Sequence, residues 1–321
     1  MGGKILNYGS FNLDQTFTVP HIVEPGETLS ATGFSQRAGG KGANQSVSLA
    51  KGGGKVYHAG VIGHDASWIK DYMTERGVDM TYSQISDTVG NGRAFIQVSN
   101  DGENCIVLFP GTNECYNATD ASKVLENFGP GDWIVMQNEI SAGGDIMRVA
   151  SERGLSILFN PAPMTPGIID VFPFDKVAIL IVNETEARFL YEQISGEKAE
   201  GKGLDLAAEL LKRFPNMQGV VVTLGSQGVV AKFQKAGGGI RDFIVPCQKV
   251  KVKDTTGAGD TFVGFFLAAF VRNQEEDYFT RVNNALEEAN IAASIAVERE
   301  GSMDSVPTLD EVQARKSQPQ Q

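Results

Sequence analysis

The chain has 321 residues, 41% hydrophobic and 21% charged, with a formal net charge of -11. This balance excludes a disordered chain and supplies the core of one large α/β domain or two smaller ones. The acidic surface opposes a phosphodiester backbone, so nucleic acid is not an expected partner, whereas a local basic cleft for a small phosphate stays open.

In chain order, "KILNYG" from Lys4 reads as a first buried strand. It ends on "GSFNLDQ", where Asn12 and Asp14 lie two positions apart. On an extended strand both point to one side and can grip vicinal hydroxyls together. A hydrogen-bonded loop start is the reading these two residues favour on their own. Residues 14–36 then alternate apolar and polar, as do residues 91–110, where "NDGEN" marks a turn. Both read as hairpin-type strands outside the main sheet, suited to a lid or a dimer contact.

Between them lies "AGGKGANQSVSLAKGGG", Ala38 to Gly54. Lys41 is followed by Gly42 and not by Ser or Thr, so this is no P-loop, and the dinucleotide fingerprint lacks its third glycine. What remains is a tight turn at Gly40 with Lys41 and Asn44 offering donors as a helix begins; a structural turn and a binding site are equally supported.

Further β-rich runs follow at "KVYHAGVI" (55), "WIVMQ" (133), "LSILF" (155), "VAILIV" (177) and "GVVVTL" (219), with helix-spaced stretches such as "DLAAELLKRF" between them. Fully apolar strands suit a sheet covered on both faces, which predicts a doubly wound, mostly parallel α/β sheet with ligands at the strands' carboxyl ends. After "VAILIV", the segment "VNETEARFL" carries Glu184 and Glu186. Such carboxylates either hold Mg²⁺ or complement a helix dipole, and the dipole reading is favoured without further context.

"DTTGAGDTF", Asp254 to Phe262, is the second glycine-rich turn before a helix. Its free amides favour an anion, and Asp260 is either a dipole-compensating carboxylate or a general base beside a phosphate cradle. The tail "ARKSQPQQ" is polar and expected to fray. Cys105, Cys115 and Cys247 form no CxxC pair, which fits a reducing cytoplasm. Neither an export signal nor a span long enough for a membrane is visible, so a cytoplasmic protein is expected.

"AGGKGANQS" and "DTTGAGDTFVGFF", in this order and accompanied by "GSFNLD", "QNE", "NETE" and "TLGSQG", closely resemble the signatures of the ribokinase family of carbohydrate kinases, also called the PfkB family. The resemblance runs from about Ile5 to Pro307. It implies a single kinase domain over 1–321 with a small β lid, and transfer of a phosphoryl group from ATP to a sugar hydroxyl, with O5 of D-ribose the expected acceptor. It implies sugar contacts from Asn12, Asp14, Gly40, Asn44 and Glu139, with Lys41 near the transferred phosphate. Asn183, Thr223, Gly225, Gly228 and Asn290 are implied for the nucleotide, and Glu186 for Mg²⁺. Gly257, Ala258 and Gly259 match the anion hole, and Asp260 the catalytic base. A K⁺ site is implied at Asp254 with Thr256, Ala296, Arg299, Gly301 and Ser305, where Arg299 offers only its carbonyl.

One departure is "VGNGRAF": Asn91, Gly92 and Arg93 stand where many ribokinases carry "TG" followed by a small residue. The alternatives are therefore a kinase for deoxyribose, a hexose or a nucleoside, and, outside enzymes, a catalytically silent sugar-binding regulator. Apolar faces at Phe17, Val19, Phe95, Ile96 and Val98 predict a homodimer through the lids.

Overall fold

A computed structural model describes residues 3–318. Among these residues, thirteen strands form two sheets. The larger contains β1 (Ile5–Tyr8), β4 (Val56–Gly63), β5 (Asp79–Ser86), β8 (Trp133–Met136), β9 (Ser156–Phe159), β10 (Ile179–Asn183), β11 (Gly219–Thr223), β12 (Val229–Gln234) and β13 (Ile240–Val245). Its order is β13-β12-β11-β10-β9-β8-β1-β4-β5, parallel from β11 through β5, with β12 antiparallel to both of its neighbours. All six strands expected from apolar runs belong to it.

Strands β1 and β8 are buried along their whole length, as runs without polar alternation must be when helices cover both faces. On one face the helix Ala258–Arg272 packs between the helices Lys41–Lys51 and Tyr278–Ala296. It is buried on nearly every side, and Phe262, Phe266 and Phe270 stack along it with ring centroids 6.3 and 5.9 Å apart. Gly264 makes this close crossing possible: a Cβ there would lie 2.4 Å from that of Ser48.

The smaller sheet, ordered β3-β2-β6-β7, consists of β2 (Asn12–Val19), β3 (Gly33–Gly39), β6 (Gly92–Ser99) and β7 (Asn104–Phe109). These are the expected lid strands, beginning two residues before position 14 and reaching Gly39 beyond position 36. Asn12 and Asp14 thus lie on an extended strand, which corrects the loop-start reading. The tail expectation also changes: Thr308 and Glu311 form a reciprocal capping box that starts a helix over Leu309–Lys316, anchored by buried Val312. Residues 319–321 lie outside the described ones.

Candidate active site

Chain direction across the large sheet reverses at β1, with β4 on one side and β8 on the other. The crevice beyond the carboxyl ends of such neighbours is where open α/β sheets place ligands. Ser10, Asn12 and Asp14 follow β1, Gln137 and Glu139 follow β8, and Asn160 follows β9. Asn183 closes β10 and Thr223 closes β11.

Gly40, at φ 94°, turns the chain from β3 into the helix Lys41–Lys51. This brings the Lys41 backbone N–H 2.9 Å from Glu139 Oε2, which also accepts from Ser10 Oγ at 2.5 Å. Burial raises the Glu139 carboxyl; Lys41 and these donors pull it down, Asp260 pushes it up, and it stays above its ordinary value. The Lys41 ammonium is held above the usual lysine value chiefly by Asp260, against its own burial and with help from Glu139 and Glu186.

Asp14 is pushed up to about 7, first by burial and then by the charges of Glu139 and Asp260. Its place depends on Gly39 across the strand pair, since a Cβ there would lie 2.1 Å from Asp14 Oδ2. Asn12 Oδ1 accepts from Asn113 Nδ2 at 2.8 Å, which leaves the Asn12 amide nitrogen for a ligand. Beside Asn12 and Glu139 opens a cleft of about 530 Å³ that Arg93 also lines. Arg93 pairs with Asp65, while Asn91 clasps Phe11, Gly63 and Gly92 through its side-chain amide, so the "NGR" departure builds a braced rim.

Asp260 is buried in the first turn of the helix Ala258–Arg272, 7% exposed. Its Oδ2 accepts from Asn44 Nδ2 at 3.0 Å and its Oδ1 from Gln45 Nε2 at 2.9 Å. Gly257, at φ 75°, has no room for a side chain because Ser302 Cα would lie 2.9 Å from its Cβ. A Cβ at Gly259 would meet nothing within 4 Å, so this backbone faces an open cradle. A cavity of about 240 Å³ joins Gly257, Gly259 and Asp260 to Lys41, Asn183 and Glu186.

That cavity shares Thr223, Thr255 and Gly259 with a longer cleft of about 480 Å³. Gly225, Gly228, Asn290 and Cys247 also line the longer cleft, and Asn290 is fixed by donating to Pro246 O at 2.7 Å. The cleft beside Asn12 and Glu139, the cavity at Asp260 and the mainly apolar slot are thus linked by Lys41, which lines the cavity and bonds Glu139, and by the three shared residues.

The structure gives Glu186 a role the dipole reading foresaw: it forms a capping box with Asn183, whose N–H donates to Glu186 Oε2 at 2.9 Å. Its Oε1 makes none of these bonds and belongs to a residue lining the cavity, which fits Mg²⁺ held by one carboxylate, phosphates and water. No cluster of three His, Cys, Asp or Glu side chains able to hold a metal alone occurs among the described residues.

Asp254 accepts the backbone N–H groups of Thr256 and Gly301, each at 2.9 Å. Burial pushes its carboxyl up, but those donors and Arg37 outweigh it and hold the group below its usual value. Arg299 sends its side chain to Glu311 and its N–H to Ala296 O, so only its carbonyl faces other uses. The Ser305 hydroxyl donates to Ser302 O at 2.9 Å. An ionised carboxylate is donor chemistry that suits a monovalent cation.

A doubly wound sheet with a β lid, an open glycine turn at a helix start and a buried carboxylate near a polar cleft together define a small-molecule kinase. The family model of pfkB family carbohydrate kinases matches residues 3–309, and the chain belongs to that family. It is 31% identical to the ribokinase of Haemophilus influenzae, covering 94% of this chain and 95% of that one. With the Schizosaccharomyces pombe ribokinase the identity is 32%, covering 96% of each. Among solved structures, a Cryptococcus neoformans ribokinase in complex with ADP shares 37% identity at TM-score 0.80, covering 98% of this chain and 99% of that one. An Arabidopsis thaliana ribokinase with ribose and ATP aligns at 26% identity and TM-score 0.81, over 99% and 100% of the two chains.

Sequence reasoning missed Ser10, Gly39, Asn113, Gln45, Gln137 and Asn160 as parts of the site. Gln45 and Gln137 stood inside quoted motifs, yet nothing in a single sequence marks a glutamine as buried.

Proposed function

We propose that this chain is an ATP-dependent ribokinase that phosphorylates D-ribose at O5. The observation that carries this reading is buried Asp260 placed between the open Gly257–Gly259 backbone and the polar groups Asn12, Asp14 and Glu139, of which Asn12 and Glu139 line the adjoining cleft. Asn12, Asp14, Gly40, Asn44 and Glu139 bind the sugar hydroxyls and orient O5 toward Asp260. As O5 attacks, its proton passes to the carboxylate, its electron pair forms the bond to the γ-phosphorus, and the bond to the bridging oxygen breaks to leave ADP.

The amides of Gly257, Ala258 and Gly259 and the Lys41 ammonium stabilise charge on the transferring group. Thr223, Gly225, Gly228 and Asn290 hold the nucleotide along the apolar slot, with Asn183 at its phosphate end. Mg²⁺ would be held by Glu186 and the phosphates, and supplies charge neutralisation when bound. Asp254, Thr256, Ala296, Arg299, Gly301 and Ser305 would hold K⁺ beside the cradle.

The lid supports a homodimer through other side chains than expected: Val19 is buried and Phe17, Ile96 and Val98 are half-buried, whereas Phe34, Ile106, Val107, Leu108 and Phe109 expose more than half of their surfaces on the small sheet. Light scattering at assay concentration should give twice the chain mass, and a monomer would discard this part. No helix among the described residues is long and apolar enough to cross a membrane.

The test of function is ADP formation with D-ribose, 2-deoxyribose, a hexose and a nucleoside. Because unpaired buried polar groups penalise a missing hydroxyl, ribose should exceed 2-deoxyribose in kcat/KM by as much as ~10⁴. A better rate with any other acceptor would replace the ribose assignment while leaving the kinase chemistry. No turnover with any acceptor would favour a silent sugar-binding protein.

A further inference from the structure

Behind Asp260 runs a line of side-chain amides: Asn7, Gln137, Gln45 and Asn160 are all buried, the first three to within 1% of complete burial. Its polarity is fixed at both ends by main-chain carbonyls, which can only accept. Asn7 Nδ2 donates to Gly42 O at 2.8 Å and Asn160 Nδ2 to Ile181 O at 2.9 Å, so each presents its amide oxygen inward. Gln137 must then offer its NH₂ group, which donates to Asn7 Oδ1 at 3.1 Å and to Gln45 Oε1 at 2.7 Å. Gln45 is thereby forced to offer its own NH₂, one hydrogen to Asn160 Oδ1 at 3.0 Å and the other to Asp260 Oδ1 at 2.9 Å.

This direction is kept although it leaves Gln137 Oε1 buried without a donor. Reversing Gln137 would set its oxygen against the oxygens of Asn7 and Gln45, which is worse than one orphaned acceptor. Asn44, on the other carboxylate oxygen, is not locked in this way. Its NH₂ donates to Asp260 Oδ2 and its Oδ1 is buried with no partner, so once Oδ2 carries a proton nothing within the protein opposes its turning over.

We propose that Gln45, oriented by Gln137 and Asn7, is a positioning residue that keeps Asp260 Oδ1 an obligatory acceptor and directs the substrate proton to Oδ2. The O–H bond of the acceptor breaks, the proton is bound at Oδ2, and Asn44 turns its amide oxygen to receive the new O–H. Oδ1 stays in its bond to Gln45 throughout, so the carboxylate does not rotate during transfer. The inference rests on Asp260 being the base.

The charged groups that face Asp260 are Lys41, Glu139 and Asp14, with Glu186 across the shared cavity. Asp14 titrates near neutrality on its own account, so the test uses kcat at saturating sugar, where Asp14 is engaged by substrate. Gln45→Leu removes a hydrogen bond to the ionised base; kcat should fall by about 10- to 100-fold and its acid limb should move up by about one pH unit. KM for ATP should stay within about twofold, because the nucleotide slot is untouched. Gln137→Leu, which does not touch Asp260, should shift the acid limb in the same direction by less. In an Asp260→Asn background Gln45→Leu should cost less than about twofold more, since residues acting as one unit are not additive.

Cooperative melting of each variant shows that it folds, and Gln45→Met, which keeps the length of the side chain, serves if Gln45→Leu does not. An unmoved acid limb, or the full loss repeated in the Asp260→Asn background, would overturn the inference. Near-normal turnover by Asp260→Asn alone would instead remove the base assignment on which it rests.

Discussion

Replacing Asp14 by Asn should stabilise the protein while removing its grip on the sugar. Asp14 stands at about 7 against an ordinary 3.8, raised by burial and by the charges of Glu139 and Asp260. A carboxyl raised in the folded state favours folding fully below its unfolded value, and that contribution is lost as pH rises through the folded one. A shift of about three units at about 1.4 kcal/mol each sets a cost near 4 kcal/mol above neutrality, which water reaching the half-buried group reduces to about 2–4. An amide carries none of this cost. Asp14→Asn should therefore gain about 2–4 kcal/mol at pH 8 in urea denaturation, exceeding its gain at pH 5 by about 2 kcal/mol. In the proposed role Asp14 grips the sugar as the ionised carboxylate, so wild-type affinity should rise with pH up to about 7 and KM of the variant should rise steeply. An equal stability difference at both pH values would refute the reasoning.

Asp260→Asn should lower kcat by ~10²–10⁴ with ATP binding retained, measured by turnover and nucleotide titration. Replacing K⁺ by Na⁺ should depress activity in the wild type and make no difference in Asp254→Ala; melting curves in the two salts should show the same contrast without turnover. Gly39→Ala places a methyl group on the Asp14 carboxylate and should raise the sugar KM with little change in KM for ATP, read from initial rates.

The central strands were legible because β1, β8, β10 and β11 are short apolar runs that only a covered sheet can bury. Strand β5 was not, because "DMTYSQIS" is an edge strand with few buried positions and carries no apolar run. The antiparallel pair β12 and β13 escaped as well, since β13 exposes four of its six residues. The cradle was legible through glycines whose positive φ or open backbone leaves few other choices, as at Gly40 and Gly257. The amide line was illegible for a different reason. Gln45 and Gln137 are 92 residues apart, and their burial is decided by tertiary packing rather than by either neighbourhood.

Transfer of the γ-phosphoryl group of ATP to O5 of D-ribose can be followed by phosphorus NMR of a reaction containing protein, D-ribose, ATP, Mg²⁺ and K⁺. Equal amounts of ADP and a phosphomonoester coupled to the C5 protons of ribose are expected. A phosphate on another ribose oxygen, or ADP and inorganic phosphate without a sugar phosphate, would rule out the proposed reaction.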